Sequence, residues 1–242
     1  MQLALISDIH ANLEALTAVL AHCDEQGVDK IICLGDVVGY GASPVECLEL
    51  VIDRCAVILM GNHEYAALGL VSTDSYNEVA RTMTEWTRRL LSDKELHLMA
   101  DLPMDHTEGK MHFVHSSPFE PDRWHYIVSP ESALLAFQHL EGRICFFGHS
   151  HVPMVFEENP SGLPYCYPGE SFVIKPEKRY LVNIGSVGQP RDNDPRASYV
   201  IVDTDAQDCW FHRVAYDISS TQERMAQAEL PEPLISRLAV GR

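Results

Sequence analysis

No apolar stretch in this chain approaches the roughly 18 residues that a membrane-spanning helix needs, so no span is expected. Its start, Met-Gln-Leu-Ala-Leu-Ile-Ser-Asp, has no basic segment ahead of the apolar run, and a secretory signal peptide is not expected. No Cys-x-x-Cys pair occurs. The seven cysteines are odd in number and several sit inside apolar runs such as Ile31-Ile32-Cys33-Leu34. They read as reduced core thiols, which favours the cytoplasm over an oxidising compartment. Cationic side chains are scarce, with 18 Lys and Arg against 35 Asp and Glu, a formal charge of −17. Without a basic run, a nucleic-acid surface is not expected. The excess acid keeps the chain soluble and repels large polyanions. Internal repeats, low-complexity tracts and linkers are also missing. The 242 residues, 46% of them hydrophobic, therefore read as a single domain over residues 1–242 with a sizeable core.

What is present begins with alternating strand and helix. Strands are expected at residues 3–7, 30–34 and 56–60. Between the first two, Asn12 can cap a helix with Leu13, Leu16, Val19 and Leu20 at helical spacing, ended by Gly27. Ser43-Pro44-Val45-Glu46 reads as a capping box with proline at the first helical position. This βαβαβ order predicts parallel strands and an α/β fold. Residues 62–100 read as helical, with further capping boxes from Ser75 to Glu78 and from Ser92 to Glu95. The second half is β-rich, with strands expected at 111–114, 143–147, 154–156, 172–174, 180–183, 199–203 and 210–214 and a helix from Ser129. The last two dozen residues read as helix interrupted by Pro231 and Pro233.

Five polar motifs follow predicted strands: Asp8-Ile9-His10, Gly35-Asp36-Val37-Val38-Gly39, Gly61-Asn62-His63-Glu64, Val114-His115-Ser116 and Gly148-His149-Ser150-His151. Ligands of α/β sheets gather at the carboxyl ends of strands, so these motifs are expected to converge there. Asp8 and His10, and likewise His149 and His151, lie two apart; an extended backbone would point each pair the same way. Each motif alone is weak evidence, since Asp-x-His is a common surface pattern and Gly-Asp often marks a turn. Their joint occurrence supplies two Asp, one Asn and four His, a hard-to-borderline donor set suited to paired Mn, Fe or Zn ions. Such pairs activate water and clamp phosphate. Of the two histidines flanking strand 111–114, His115 closes the strand and His112 opens it, so His115 is the candidate. His22, His97, His106, His125, His139 and His212 lack a partner motif and read as structural or surface residues.

The ordered motif series resembles the calcineurin-like metallophosphoesterases, over Met1 to about Asp203. Asn183-Ile-Gly-Ser-Val-Gly-Gln-Pro-Arg191 resembles a further segment of bacterial members. The resemblance implies two mixed β-sheets packed face to face with helices outside, a four-layer α/β (α+β) sandwich. It implies two divalent ions (Mn, Fe or Zn), one held by Asp8, His10, Asp36 and His151, the other by Asp36, Asn62, His115 and His149, with Asp36 bridging. It implies that His63 is the catalytic residue, which protonates the leaving-group oxygen or steadies the transition state, and histidine is well matched to proton donation near neutral pH.

One departure matters. The protein Ser/Thr phosphatase and diadenosine tetraphosphatase branch carries an Asp-Arg pair at the second motif, where this chain has Gly39-Tyr40. This places it nearer the small bacterial phosphodiesterase-like members. Arg191, in the loop after Gly-Gln-Pro, is a candidate substrate contact, with an ion pair to Asp192 or Asp194 as the plain alternative. The expected activity is hydrolysis of a small phosphoester, foremost a diester. Phosphomonoester or protein-phosphatase-like hydrolysis is the alternative, and a non-catalytic scaffold, as in the retromer subunit of this fold, a further one. The sequence leaves the oligomeric state, the natural substrate and the metal's identity open.

Overall fold

The computed structural model describes residues 1–72 and 78–242; the capping box expected from Ser75 lies outside the described residues. The chain opens with β1 (Gln2–Ile6), α1 (Leu13–Gln26), β2 (Lys30–Cys33), α2 (Pro44–Arg54) and β3 (Val57–Ile58). Three helices follow: α3 (Asn62–Ala67), α4 (Glu78–Leu90) and α5 (Asp93–Ala100). Then come β4 (Asp105–Glu108), β5 (Met111–Val114), α6 (Pro130–Gln138), β6 (Ile144–Phe147), β7 (Met154–Glu157) and β8 (Tyr165–Pro168). The remaining strands are β9 (Phe172–Val173), β10 (Tyr180–Asn183), β11 (Ala197–Asp203) and β12 (Asp208–Val214). The chain finishes with α7 (Ile218–Gln227), α8 (Glu232–Ser236) and a 3-10 turn, Arg237–Ala239.

Two six-stranded mixed sheets form, in the orders β3-β2-β1-β11-β12-β9 and β4-β5-β6-β10-β7-β8. β1, β2 and β3 are parallel, as are β5, β6 and β10. The period-2 alternation of strands decides the layers. Leu3, Leu5 and Ile32 of one sheet meet Phe113, Phe146 and Val182 of the other in a core between the sheets. The alternate residues Ala4, Ile6 and Cys33 face α1 and α2 through Leu16, Val19 and Leu48. On the far side Cys145, Phe147 and Leu181 face α6 through Ala133 and Phe137. Helix, sheet, sheet and helix are thus the four layers expected.

A smaller apolar cluster ties α4 to the C-terminal segment, where Met83 packs with Met225, Leu230, Leu234 and Leu238 and partly covers Tyr40. Asn12 caps α1 by accepting the Ala15 amide, and Gly27 closes that helix in the left-handed region. Ser92 and Glu95 form the expected box. Ser43 does not: its hydroxyl makes no capping bond, and Pro44, which has no amide to donate, starts α2 in its place.

Candidate metal centre

All five motifs leave the carboxyl ends of strands, three from one sheet and two from the other. Asp8, Asp36 and Asn62 follow β1, β2 and β3; His115 follows β5; His149 and His151 follow β6. Because both sheets present the same end, the seven side chains meet in one place. His10 Nε2 lies 3.0 Å from His151 Nε2, and His151 Nε2 lies 3.2 Å from Asp8 Oδ1. His115 Nε2 lies 3.3 Å from Asp36 Oδ2 and 3.2 Å from Asn62 Oδ1. Asp8, His10 and His151 form one group with ligand atoms within 4.8 Å of one another, and Asp36, His115 and His149 form a second.

Asp36 stands between the groups. Its Oδ1 accepts the His63 amide at 2.9 Å, while its Oδ2 lies 3.8 Å from His10 Nε2 as well as close to His115. One carboxylate oxygen therefore addresses both halves of the cluster, the geometry a bridging ligand needs.

The local backbone departs from expectation. Asp8, His10, Asp36, His149 and His151 all have positive φ, between 50° and 64°. Asp8 and His10 converge through a left-handed turn, and not through the same-face spacing of an extended strand. Non-glycine residues adopt this region at a cost of order 1–3 kcal/mol each, which surrounding bonds must offset. Those bonds are present: the amides of Asp8 and His10 donate to the carbonyls of Gly35 and Asp36, and Gly188 donates to Asp8. Gly188 has no substitute, since a Cβ there would lie 1.7 Å from the Ile9 carbonyl oxygen.

Second partners orient the rings. His115 Nδ1 donates to the Leu34 carbonyl and His151 Nδ1 to the Gln189 carbonyl, which turns each Nε2 toward the cluster. His149 uses Nε2 on the Trp124 carbonyl, so Nδ1 is its free nitrogen. Such backbone carbonyl partners are what fixes the tautomer of a metal-binding histidine. The segment from Asn183 acquires a physical role as well. Asn183 Nδ2 donates to the Gly148 carbonyl and Ser150 Oγ, Ser186 Oγ to the Asp8 carbonyl, and Gln189 supplies the carbonyl for His151.

Charge in the cluster suits a cation. Burial would raise Asp8 and Asp36, but His151 and His115 hold both carboxyls well below the usual range. Burial also works against protonation of His115, yet Asp36, Asp8 and Glu64 outweigh it and raise that ring to about 9. Burial and neighbouring imidazoles push His10 down, and burial and His115 push His149 to about 3. Two buried carboxylates among four imidazoles, with the His115 proton standing where a cation would be, form a donor set that fits divalent ions.

Similarity over the whole chain points the same way. A family model described as calcineurin-like phosphoesterase superfamily domain matches residues 1–207. The chain belongs to the calcineurin-like phosphoesterase superfamily. It is 40% identical to an uncharacterized protein from Methanocaldococcus jannaschii, over 99% of this chain and 98% of that one. It superposes on the crystal structure of a metallophosphoesterase from Sphaerobacter thermophilus with a TM-score of 0.89 and 44% identity, covering 100% of this chain and 99% of that chain. A hypothetical protein from Pyrococcus horikoshii shares the fold, with a TM-score of 0.80 at 18% identity over 100% and 98% of the two chains.

At the edge of this cluster, His63 is half-buried, with its ring 4.9 Å from that of His10 and 4.4 Å from that of Tyr40. Burial lowers its pKa, with Asp36 opposing. Arg191 lies at the same edge, its guanidinium carbon 6.0 Å from the Tyr40 ring centre. The alternative ion pairs are taken elsewhere, Asp192 by Arg213 and Asp194 by Arg196. His112 is outside the cluster and bonds Asp105, 3.0 Å away. The other unassigned histidines also have structural partners, among them Tyr199 for His22 and Glu108 for His106. Sequence reasoning missed Glu64. Fully buried, it accepts the amides of Asp36, Val38 and Gly61 and thereby ties the second motif to the third. Burial and Asp36 raise it to about 7. Its signal was its place three residues after Gly61, where a helix's third residue reaches back to the N-cap amide. Tyr40 was also missed as part of the site; it stood out in sequence only as a departure from the Asp-Arg pair.

Proposed function

We propose that the chain is a dinuclear metal-dependent phosphodiesterase acting on small phosphoesters. The observation that carries this reading is the convergence of seven donor side chains from two sheets around Asp36 Oδ2. Asp8, His10, Asp36 and His151 would hold one divalent ion, and Asp36, Asn62, His115 and His149 the other. Ions so paired supply an activated water and neutralise phosphate oxygens. The protein's own residues do the rest. The backbone partners of His115, His149 and His151 keep the donor nitrogens aimed inward. His63, beside Asn62, offers an N–H toward the leaving-group oxygen, and an arriving phosphate anion favours its protonated form against the pull of burial. Arg191 contacts a non-bridging oxygen.

The diester preference rests on Gly39-Tyr40, which stands where the protein-phosphatase branch has its Asp-Arg pair, and the restriction to small substrates on the formal charge of −17. All seven cysteines are unpaired and, among the described residues, no helix is long and apolar enough to cross a membrane. A reducing cytoplasmic setting is consistent with this. Bis-p-nitrophenyl phosphate should be hydrolysed in the presence of Mn, faster than the monoester p-nitrophenyl phosphate. Turnover of a phosphoprotein or long DNA, with none of either small ester, would overturn the reading. Activity on the monoester alone would move the assignment to phosphatase.

A further inference from the structure

Tyr40 stands where the histidine cluster meets a second cavity. Its ring centre is 4.4 Å from that of His63 and 4.8 Å from that of His10. On its other side Tyr40 lines a cavity of about 660 Å³ together with Arg237 and Arg242. Val79 and Leu234 supply apolar wall, and Glu78 is the acid that lines it. Arg191 sits over the same tyrosine ring. Guanidiniums from two distant stretches of the chain thus flank one side chain at the edge of the candidate metal centre.

Among the described residues none of the three arginines is paired with a side-chain carboxylate. Arg191 donates one Nη2 bond to Gln189 Oε1, and its buried Nε has no partner. Arg237 donates Nε to a main-chain oxygen of Arg242, and Arg242 Nε donates to the Asn193 amide oxygen. Burial and the charge of Arg191 both lower Arg237 in pKa, so the two cations are near enough to repel. In a chain of formal charge −17, three guanidiniums around one tyrosine, with Glu78 the acid in the cavity lining, are an exception. Guanidinium forks match phosphate oxygens in geometry and charge, and a bound anion would relieve the repulsion. Arg237 and Arg242 lie beyond residues 1–207, the stretch matched by the family model, so the C-terminal segment adds this feature to the superfamily core.

We propose that the cavity beside Tyr40, lined by Arg237 and Arg242, is a subsite for a second phosphate group of the substrate. The preferred substrate is then a small phosphoester that carries a further phosphate, seated a tyrosine ring's width from the group that reacts. The apolar wall at Val79 and Leu234 accommodates the carbon framework between the two groups. This inference rests on the hydrolase reading given above.

Calorimetric titration of the Mn-loaded full chain with propane-1,3-bisphosphonate and with propylphosphonate tests the subsite. The bisphosphonate should bind roughly tenfold or more tightly than the monophosphonate, the scale of a charge-assisted hydrogen-bond pair. Arg237→Gln should bring the ratio of the two affinities close to one. If that variant does not fold, Arg242→Gln, at an exposed position, carries the test with an expected fall in the ratio of about threefold. Equal affinities in the unmodified protein, or a ratio unmoved by substitution, would overturn the subsite. Binding needs no turnover, whereas the hydrolase reading fails on inert bis-p-nitrophenyl phosphate, so the two are separable.

Discussion

At the scale of single residues, the question is which side chains hold ions and which touch substrate. His63 can be grouped with His10 and Asp36 by distance, so geometry alone would admit it as a ligand. Its backbone amide, though, is bonded to Asp36 and its ring packs against Tyr40, 4.4 Å away. We therefore expect His63→Ala to keep its metal content and lose roughly 10²–10⁴ in rate, the usual worth of a positioned acid. The loss should shrink for nitrophenolate leaving groups, which need little protonation. Metal content and rate across a leaving-group series check this. Loss of an ion in the variant would make His63 a ligand, and an equal rate loss for every leaving group would make it a phosphate-orienting group. The candidate residues were legible in sequence because each motif carries its own chemistry. The conformation behind them was not. Left-handed φ at Asp8, His10, Asp36 and His149 is held by hydrogen bonds that their amides donate to Gly35, Asp36, Glu64 and Asp8, distant partners that no local propensity encodes. The carbonyl partners at Leu34, Trp124 and Gln189 were equally hidden, because any residue type presents a carbonyl.

At the scale of elements, Glu64 is the most exacting link. It lies on α3, and its two carboxylate oxygens accept three buried amides from two loops that carry candidate ligands. Glutamine keeps one acceptor oxygen and sets an NH₂ against at least one amide. Glu64→Gln, measured at pH 8, above the raised Glu64 value of about 7, should cost about 1–3 kcal/mol and lower the melting midpoint by several degrees. A midpoint equal to that of the unmodified protein would contradict the role. The parallel strands and their helices were readable because buried strands are continuously apolar and α1 repeats at helical spacing. β4 and β8 were missed for the converse reason. Each is the outermost strand of its sheet, with the polar run Asp-His-Thr-Glu in β4 and the wholly exposed Tyr-Cys-Tyr-Pro in β8. Edge strands need bury no alternating face, and proline is tolerated there. The capping box expected at Ser43 failed because a sequence pattern does not fix where a hydroxyl points.

At the scale of the molecule, two sheets of different composition are packed so that the carboxyl ends of β1, β2, β3, β5 and β6 share one edge. Neither sheet holds a full donor set. Asp8, His10, Asp36 and Asn62 come from one, and His115, His149 and His151 from the other, so the cluster exists only when the core between them is formed. Asp36 joins the halves, which makes it the residue whose loss should reach furthest. Asp36→Asn should weaken both ions, whereas His10→Ala should weaken mainly one. The most direct test of the account is the metal content of the chain, purified without chelator, reloaded with Mn and freed of excess. Elemental analysis should give two ions per chain, falling well below two in Asp36→Asn. A saturated protein that holds one ion or none would contradict the dinuclear centre.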